Sequence, residues 1–136
     1  MCDIMTIGSM VKESGISAKA FRSIINLRNE NLRKPILEKK MTQLFATQFC
    51  SIDKAKLHDQ IRHVFNFNRS VHFTDHFVGS LLCRFWDTSI EVIANLVVAA
   101  YKRNTRTGKD RYLSSIGIYV VYEPKDRVFI SIYNKY

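Results

Sequence analysis

Apolar residues in the first half of the chain recur at the three- and four-residue intervals that are typical of amphipathic helices. Over residues 6–29 this spacing is interrupted at Gly15, which predicts two short helices joined by a turn. Pro35 suits the first turn of a third helix, which we expect to continue through residue 44 or beyond. Ser51 is a candidate cap for a fourth helix that runs to about residue 64. The first half of the chain is therefore predicted to be helical.

Another helix is predicted in the middle of the second half of the chain. Thr88 or Ser89 can cap it, and its apolar residues form one stripe over residues 89–101. Glu91 lies in its first turn, where a negative charge complements the helix dipole. The polar segment over residues 102–111 contains Gly108 and predicts a loop after this helix.

The last part of the chain has the composition of β-strands. Residues 112–122 and 127–133 are rich in β-branched and aromatic side chains, and the turn sequence Glu123-Pro-Lys-Asp126 lies between them. These segments predict a C-terminal β-hairpin, and residues 69–73 are a candidate for another strand. Alternation along the hairpin predicts five buried positions on one face, namely Ile118, Val120, Val128, Ile130 and Ile132.

Together these elements predict an α+β fold, in which a helical N-terminal half packs on a small twisted antiparallel sheet that ends in the C-terminal hairpin. A chain of 136 residues is long enough to bury a hydrophobic core as one domain. We therefore expect a single domain over residues 1–136, with a helical front over residues 1–66 and an α/β back over residues 67–136.

The composition favours an anionic partner. The formal net charge is +9, and the excess of Lys and Arg is spread over both halves of the chain. A charge of this size favours nucleic acid over an acidic protein or a membrane surface.

Three cysteines at wide spacings, Cys2, Cys50 and Cys83, argue against a disulfide framework and against a four-ligand zinc site. We therefore expect a reducing, cytoplasmic environment. The longest apolar run, over residues 116–122, is too short to cross a bilayer, so no membrane span is expected.

Two histidines are candidates for chemistry near neutral pH. His72 and His76 are four residues apart and are followed by Arg84. On a helix this spacing would suit zinc, but the glutamate of zinc-protease helices and a third ligand are missing, so neither a metal nor a cofactor is predicted. Two interpretations stay open: the histidines take part in general acid–base chemistry, or they are partly buried beside a helix capped by Thr74.

The polar segment after the second-half helix is a candidate phosphate-binding element. RNA cleavage through the ribose 2′-hydroxyl needs a base, a proton donor to the leaving oxygen, and cations near the phosphorus. The predicted loop can supply the cations, although such runs are often only solvated surface. Its five cations are Lys102, Arg103, Arg106, Lys109 and Arg111.

Aromatic residues of the hairpin are candidates for contact with unpaired bases. Rings on a sheet can stack on bases, and Ser131 or Tyr133 could contact a phosphate. Tyr119 can belong either to the core or to such a surface.

The order of a His-containing strand or turn, a helix starting Thr-Ser-Ile-Glu-Val-Ile, a basic loop and a hairpin ending Val-Phe-Ile-Ser-Ile-Tyr resembles the barnase, colicin D and RelE-like RNase superfamily. Small phage endoribonucleases and contact-dependent toxin tips belong to this superfamily, and the resemblance covers about residues 69–136. It implies metal-independent endonucleolytic cleavage of RNA. His76 would be the general base or acid with His72 as its partner, Arg84 and the loop cations would hold the phosphate, and Ser131 would supply a hydroxyl.

A second resemblance lies at the start of the chain. Residues 6–25 are similar to a helix-turn-helix of the MerR-like type, with Gly15 at the turn and Ser17 capping the second helix. Lys19 and Arg22 would then face DNA. The proline, arginine and tyrosine pattern of the wing that follows in that family is missing.

RNA is the expected partner of this chain. The alternatives are DNA, a protein that inhibits it, or a host protein to which the chain binds as a non-enzymatic inhibitor or adaptor.

Overall fold

Helices fill the first half of the chain and strands gather near its end, as the hydrophobic pattern predicts. The computed structural model describes residues 5–135. In chain order the helices are α1 (Ile7–Glu13), α2 (Ala18–Asn29), α3 (Lys34–Gln43), α4 (Ser51–Phe65), α5 (Asp75–Arg84) and α6 (Ile90–Thr107), with a π-helical turn at Leu44–Gln48. The strands are β1 (His72–Phe73), β2 (Arg111–Leu113), β3 (Ile118–Glu123) and β4 (Val128–Asn134). The predicted α+β class is confirmed.

The helices of the first half form for the reasons that the sequence indicates, with one difference. Gly15 adopts a left-handed conformation between α1 and α2, with φ of 81°. Asp53 of α4 accepts hydrogen bonds from the Ser17 backbone N–H and hydroxyl, so it joins α4 to the start of α2. These bonds, led by the one from the backbone, lower the pKa of Asp53. The cap of α4 is the Cys50 thiol and not Ser51, which is the first helical residue.

One face of the sheet is covered by α5 and α6. The Phe77 ring of α5 lies 5.4 Å from the Phe129 ring of β4, measured between centroids. The Tyr101 ring of α6 lies 5.2 Å from the Tyr122 ring of β3. Because Tyr122 and Phe129 also contact each other at 4.5 Å, both helices lie on the same side of the strands. Within residues 5–135, no helix combines the length and the apolar character that crossing a membrane requires.

The sheet has the strand order β1-β4-β3-β2. The pairs β2–β3 and β3–β4 are antiparallel, but β1 runs parallel to β4. The expected purely antiparallel sheet is therefore wrong at this edge. Parallel pairing is possible because α5, α6 and two strands separate β1 from β4 along the chain, which gives room for a crossover connection.

The segment over residues 112–122, predicted as the first strand of the hairpin, forms parts of two strands. A turn over residues 114–117 separates β2 from β3, and Gly117 adopts a left-handed φ of 80° in it. The Ser114 hydroxyl accepts a hydrogen bond from the Ile118 N–H at 3.1 Å, which closes the turn. Ile116 is consequently 60% exposed instead of lying in a strand. The turn between β3 and β4, which contains Pro124, is where the sequence predicts it.

A β-bulge changes the side-chain alternation of β4. Val121 pairs with Ser131 and Tyr122 pairs with Phe129, so Ile130 has no partner in β3. The extra residue reverses which side chains face the helices on either side of it. Phe129 before the bulge and Ile132 after it are therefore both fully buried.

The bulge decides which predicted core positions are correct. Ile118, Val120 and Ile132 are buried, as predicted. Val128 and Ile130 are only half-buried, so the prediction is wrong for these two residues.

Candidate nucleic-acid interface

The face of the sheet that points away from α5 and α6 gathers several of the predicted site residues. Val120 and Tyr122 are buried in the core, so Tyr119, which precedes Val120 on β3, lies on the other side. Tyr133 is its partner on β4 and shares that side. We define this surface, the open face, by five side chains, namely His72, Arg111, Tyr119, Ser131 and Tyr133.

The two edges of the sheet add His72 and Arg111 to this surface. Phe73 pairs with Phe129 of the core, so His72, the neighbouring residue on β1, lies on the open side. Arg111 of β2 pairs with Val121 of β3, which also lies on the open side. Four of the predicted site residues thus share one face of the sheet, although they come from three different strands.

The centre of the open face is a row of stacked side chains. The Tyr119 and Tyr133 rings are stacked, with centroids 5.2 Å apart and planes inclined by 26°. The Arg111 guanidinium carbon lies 5.6 Å from the centroid of the Tyr119 ring. This row crosses β2, β3 and β4, and in it the Tyr119 ring contacts both the Tyr133 ring and the permanent positive charge of Arg111.

His72 and Ser131 lie beside this row. His72 is exposed, and Ser131 is 9% exposed. Within residues 5–135, neither side chain has a hydrogen-bond partner, but only a small part of Ser131 is accessible to a ligand, whereas His72 is open to one. Strand spacing places them roughly 8 Å apart, too far for a direct hydrogen bond but close enough for both to contact one nucleotide.

The predicted basic loop is mostly helix. Lys102, Arg103 and Arg106 belong to the last two turns of α6, which ends at Gly108 with a left-handed φ of 72°. The helix continues through this segment because Lys and Arg are good helix formers, and no glycine or proline interrupts it before Gly108. Cations in the last turn are also favourable to the helix dipole.

Three of these cations share a surface beside β2. Lys102, Arg103 and Arg106 line a shallow groove with Tyr112. Asn104, a buried residue that sequence reasoning missed, holds this end of α6 against the sheet. Its side-chain amide donates to the carbonyl oxygens of Asp110 and Tyr122 at 2.9 and 3.2 Å.

The groove lies on the helix side of the sheet, because Tyr112 pairs with the buried Val120. Lys109 and Arg111 lie between the end of α6 and the open face along the chain. Both are exposed, and they follow Gly108 within three residues. The five predicted cations therefore form a continuous stretch of chain that runs from the end of α6 to the edge of the open face.

His76 and Arg84 are not part of the open face. Both lie on α5 and contact Glu38 of α3: the Arg84 Nε–H donates to Oε2, and His76 Nε2 lies 3.4 Å from Oε1. His72 projects from β1 toward the open face, so the two histidines have different surroundings, and their expected pairing is not found. Glu38 is a site residue that sequence reasoning missed, because its partners are 38 or more residues away.

The first two helices are joined by a turn at Gly15. Ser17 caps α2 by accepting from the Ala20 N–H, and Lys19 and Arg22 are exposed on that helix. This much agrees with the second resemblance, whereas the contact of Lys19 and Arg22 with DNA remains a prediction.

No cluster of three or more histidine, cysteine, aspartate or glutamate side chains suited to a metal occurs within residues 5–135. Comparisons of the chain with protein-family models, with curated proteins and with solved structures find no match. Membership of the RNase superfamily therefore remains a prediction.

Proposed function

We propose that this protein binds single-stranded RNA on the open face. The observation that carries the proposal is the stacked pair Tyr119–Tyr133 with Arg111 beside it, on the side of the sheet opposite α5 and α6. Aromatic side chains on a sheet stack on unpaired bases whatever the sequence, because every base has a π-face. Bases inside a duplex are already stacked on each other and are not available to such a surface.

The charges around the open face support a nucleic-acid ligand. Arg111 lies at the edge of the face, so a strand with its bases on the tyrosines can place a phosphate beside this guanidinium. The cations of α6 lie on the other side of β2 and can contact phosphates where the strand continues past this edge. The Ser131 hydroxyl has no partner within residues 5–135, and it can bond to a ribose 2′-hydroxyl, which favours RNA over DNA.

The cysteines support the proposal that this protein acts in a reducing compartment such as the cytoplasm. Cys50 and Cys83 are free. Cys2 lies outside the described residues.

The proposal is tested by comparing the affinities of single-stranded RNA, single-stranded DNA, duplex RNA and duplex DNA of one sequence, measured by fluorescence anisotropy at several salt concentrations. We expect single-stranded RNA to bind most tightly and with a clear salt dependence. The variant Arg111→Gln should bind more weakly, and the slope of log K against log salt should become shallower by about 0.7, the value for one phosphate contact on a single strand.

The matched control for this experiment is Arg22→Gln, which removes an exposed positive charge from α2. It should leave RNA binding unchanged. If duplex DNA binds most tightly and Arg22→Gln weakens that binding, the helix-turn-helix alternative is correct and the open face is not the interface. If no nucleic acid binds at low salt, a protein partner is the remaining alternative.

Metal-independent RNA cleavage is a second candidate function, and the position of His72 favours it. His72 is an exposed histidine without a described side-chain partner, on the same face as Ser131 and the tyrosine pair. It can take the proton from a ribose 2′-hydroxyl, whose oxygen then attacks the adjacent phosphorus. The products would be a 2′,3′-cyclic phosphate and a 5′-hydroxyl, and the leaving oxygen would take its proton from water.

We expect RNA incubated with the protein in EDTA to be cleaved, and we expect His72→Ala to lower the rate by about 10²–10⁴-fold while RNA affinity stays the same. The control His63→Ala removes an exposed histidine of α4 and should cleave normally. If His72→Ala and the parent protein are equally active, His72 is not the base. If the parent protein leaves RNA intact, the protein only binds it.

A further inference from the structure

A cleft between α3 and α5 is separate from the open face. It has a volume of about 380 Å³, within the range of small-ligand sites. Its lining is Pro35, Glu38, Lys39, Thr42, Gln43, His76 and Arg84. These residues include His76 and Arg84, the two predicted catalytic residues that lie outside the open face.

The one carboxylate of the cleft is already neutralised. Glu38 accepts a hydrogen bond from the Ser80 hydroxyl at 2.8 Å through Oε1, and its Oε2 accepts from the Arg84 Nε–H. Ser80 and Arg84 are one turn apart on α5, and His76 lies one turn before them, so all three share the helix face that meets α3. Glu38 therefore serves to hold Arg84 in place.

Three cationic or hydrogen-bonding groups remain available to a ligand. Only the Nε atom of Arg84 contacts Glu38, and no other described group accepts a bond from its two terminal nitrogens. Lys39 is exposed, and its ammonium group has no partner within residues 5–135. The His76 side chain is 48% exposed at the edge of the cleft. With Glu38 counted, the cleft carries a net positive charge even when His76 is neutral.

We propose that this cleft binds a phosphate monoester. A guanidinium fixed by a carboxylate presents a planar edge that fits two phosphate oxygens, and Lys39 supplies a point charge for the third. A phosphate monoester has three terminal oxygens for these donors, whereas a carboxylate has only two. The site is independent of RNA binding on the open face.

The test uses the full chain, with inorganic phosphate, adenosine monophosphate and acetate as probes. Binding is followed by the NMR shifts of backbone amides in α3 and of the His76 ring. We expect phosphate and adenosine monophosphate to bind and to shift these signals, and acetate to bind at least tenfold more weakly, a factor we take as about the value of one charge-assisted hydrogen bond.

Two variants test the assignment of donors. Lys39→Gln should weaken phosphate binding by about tenfold, whereas Lys40→Gln, the same change at the next residue, should not, because Lys40 pairs with Glu30 outside the cleft. The double variant Glu38→Gln with Arg84→Gln replaces the ion pair by amides of similar shape and should abolish binding. Its amide spectrum shows whether it is folded.

Three results would overturn the proposal. These are shifts confined to Tyr119 and Tyr133, equal affinity for acetate and phosphate, and equal weakening in Lys39→Gln and Lys40→Gln. The first result would place the phosphate on the open face, whereas the other two do not bear on RNA binding there, which Arg111→Gln tests separately.

Discussion

Replacing both Tyr119 and Tyr133 by alanine is expected to weaken binding of single-stranded RNA by at least about thirtyfold, because each base stacked on an aromatic side chain contributes about 1–3 kcal/mol. The two rings stack on each other across β3 and β4, so the double variant removes both aromatic side chains from the centre of the open face. Both rings are half-buried, so the free energy of unfolding will also fall, and circular dichroism must show that the variant is folded when its affinity is measured.

The control for this experiment keeps the rings and removes the hydroxyls. Tyr119→Phe with Tyr133→Phe should bind RNA with nearly the parent affinity, because stacking needs only the ring. If the alanine variant binds as well as the parent, the proposal of the open face as the RNA interface is wrong. If the phenylalanine variant is as weak as the alanine variant, the hydroxyls carry the binding and stacking does not.

Replacing Phe129 by alanine is expected to lower the free energy of unfolding by about 3–5 kcal/mol. Phe129 is fully buried, and its ring centroid lies within 6 Å of those of four other aromatic residues. These four are Phe67, Phe73, Phe77 and Tyr122. They come from β1, β3, α5 and the segment after α4, so the ring joins elements that are far apart in sequence. Urea denaturation measures the change.

The matched control is Ile116→Ala in the turn between β2 and β3. Ile116 is 60% exposed, and its loss should change the free energy of unfolding by less than about 0.5 kcal/mol. A loss below about 1 kcal/mol for Phe129→Ala would contradict the assignment of this face of the sheet to the core.

The sequence predicts those parts of the fold that depend on local interactions. Three features depend on the backbone preference of a single residue. They are the turn at Gly15, the position of Pro35 in the first turn of α3 and the turn at Pro124. The split between β2 and β3 was missed because Ser114 to Gly117 sit inside a run of strand-forming residues. The bulge at Ile130 was missed because it depends on how β3 and β4 pair, which alternation along one strand cannot show.

The candidate site shows the same difference between local features, which the sequence predicts, and long-range contacts, which it does not. Sequence proximity suggested that His72 and His76 act together, but a strand ends and a helix begins between them, and their side chains point to different surfaces. Glu38 joins His76 and Arg84 across 38 to 46 residues, a contact that no spacing rule reveals. Ser131 and Tyr133 share a face because they are two residues apart on β4, after the bulge. Arg111 joins them because it pairs with Val121, which lies opposite Ser131.

The outer strands of the sheet are short, since β1 has two residues and β2 has three. A long, flat edge strand would leave a row of unpaired backbone N–H and C=O groups, and a second chain could extend the sheet there. Here the two longer strands lie in the middle, and each edge offers only a few such groups. The protein can therefore leave a flat, partly aromatic face of its sheet uncovered while limiting edge-to-edge aggregation.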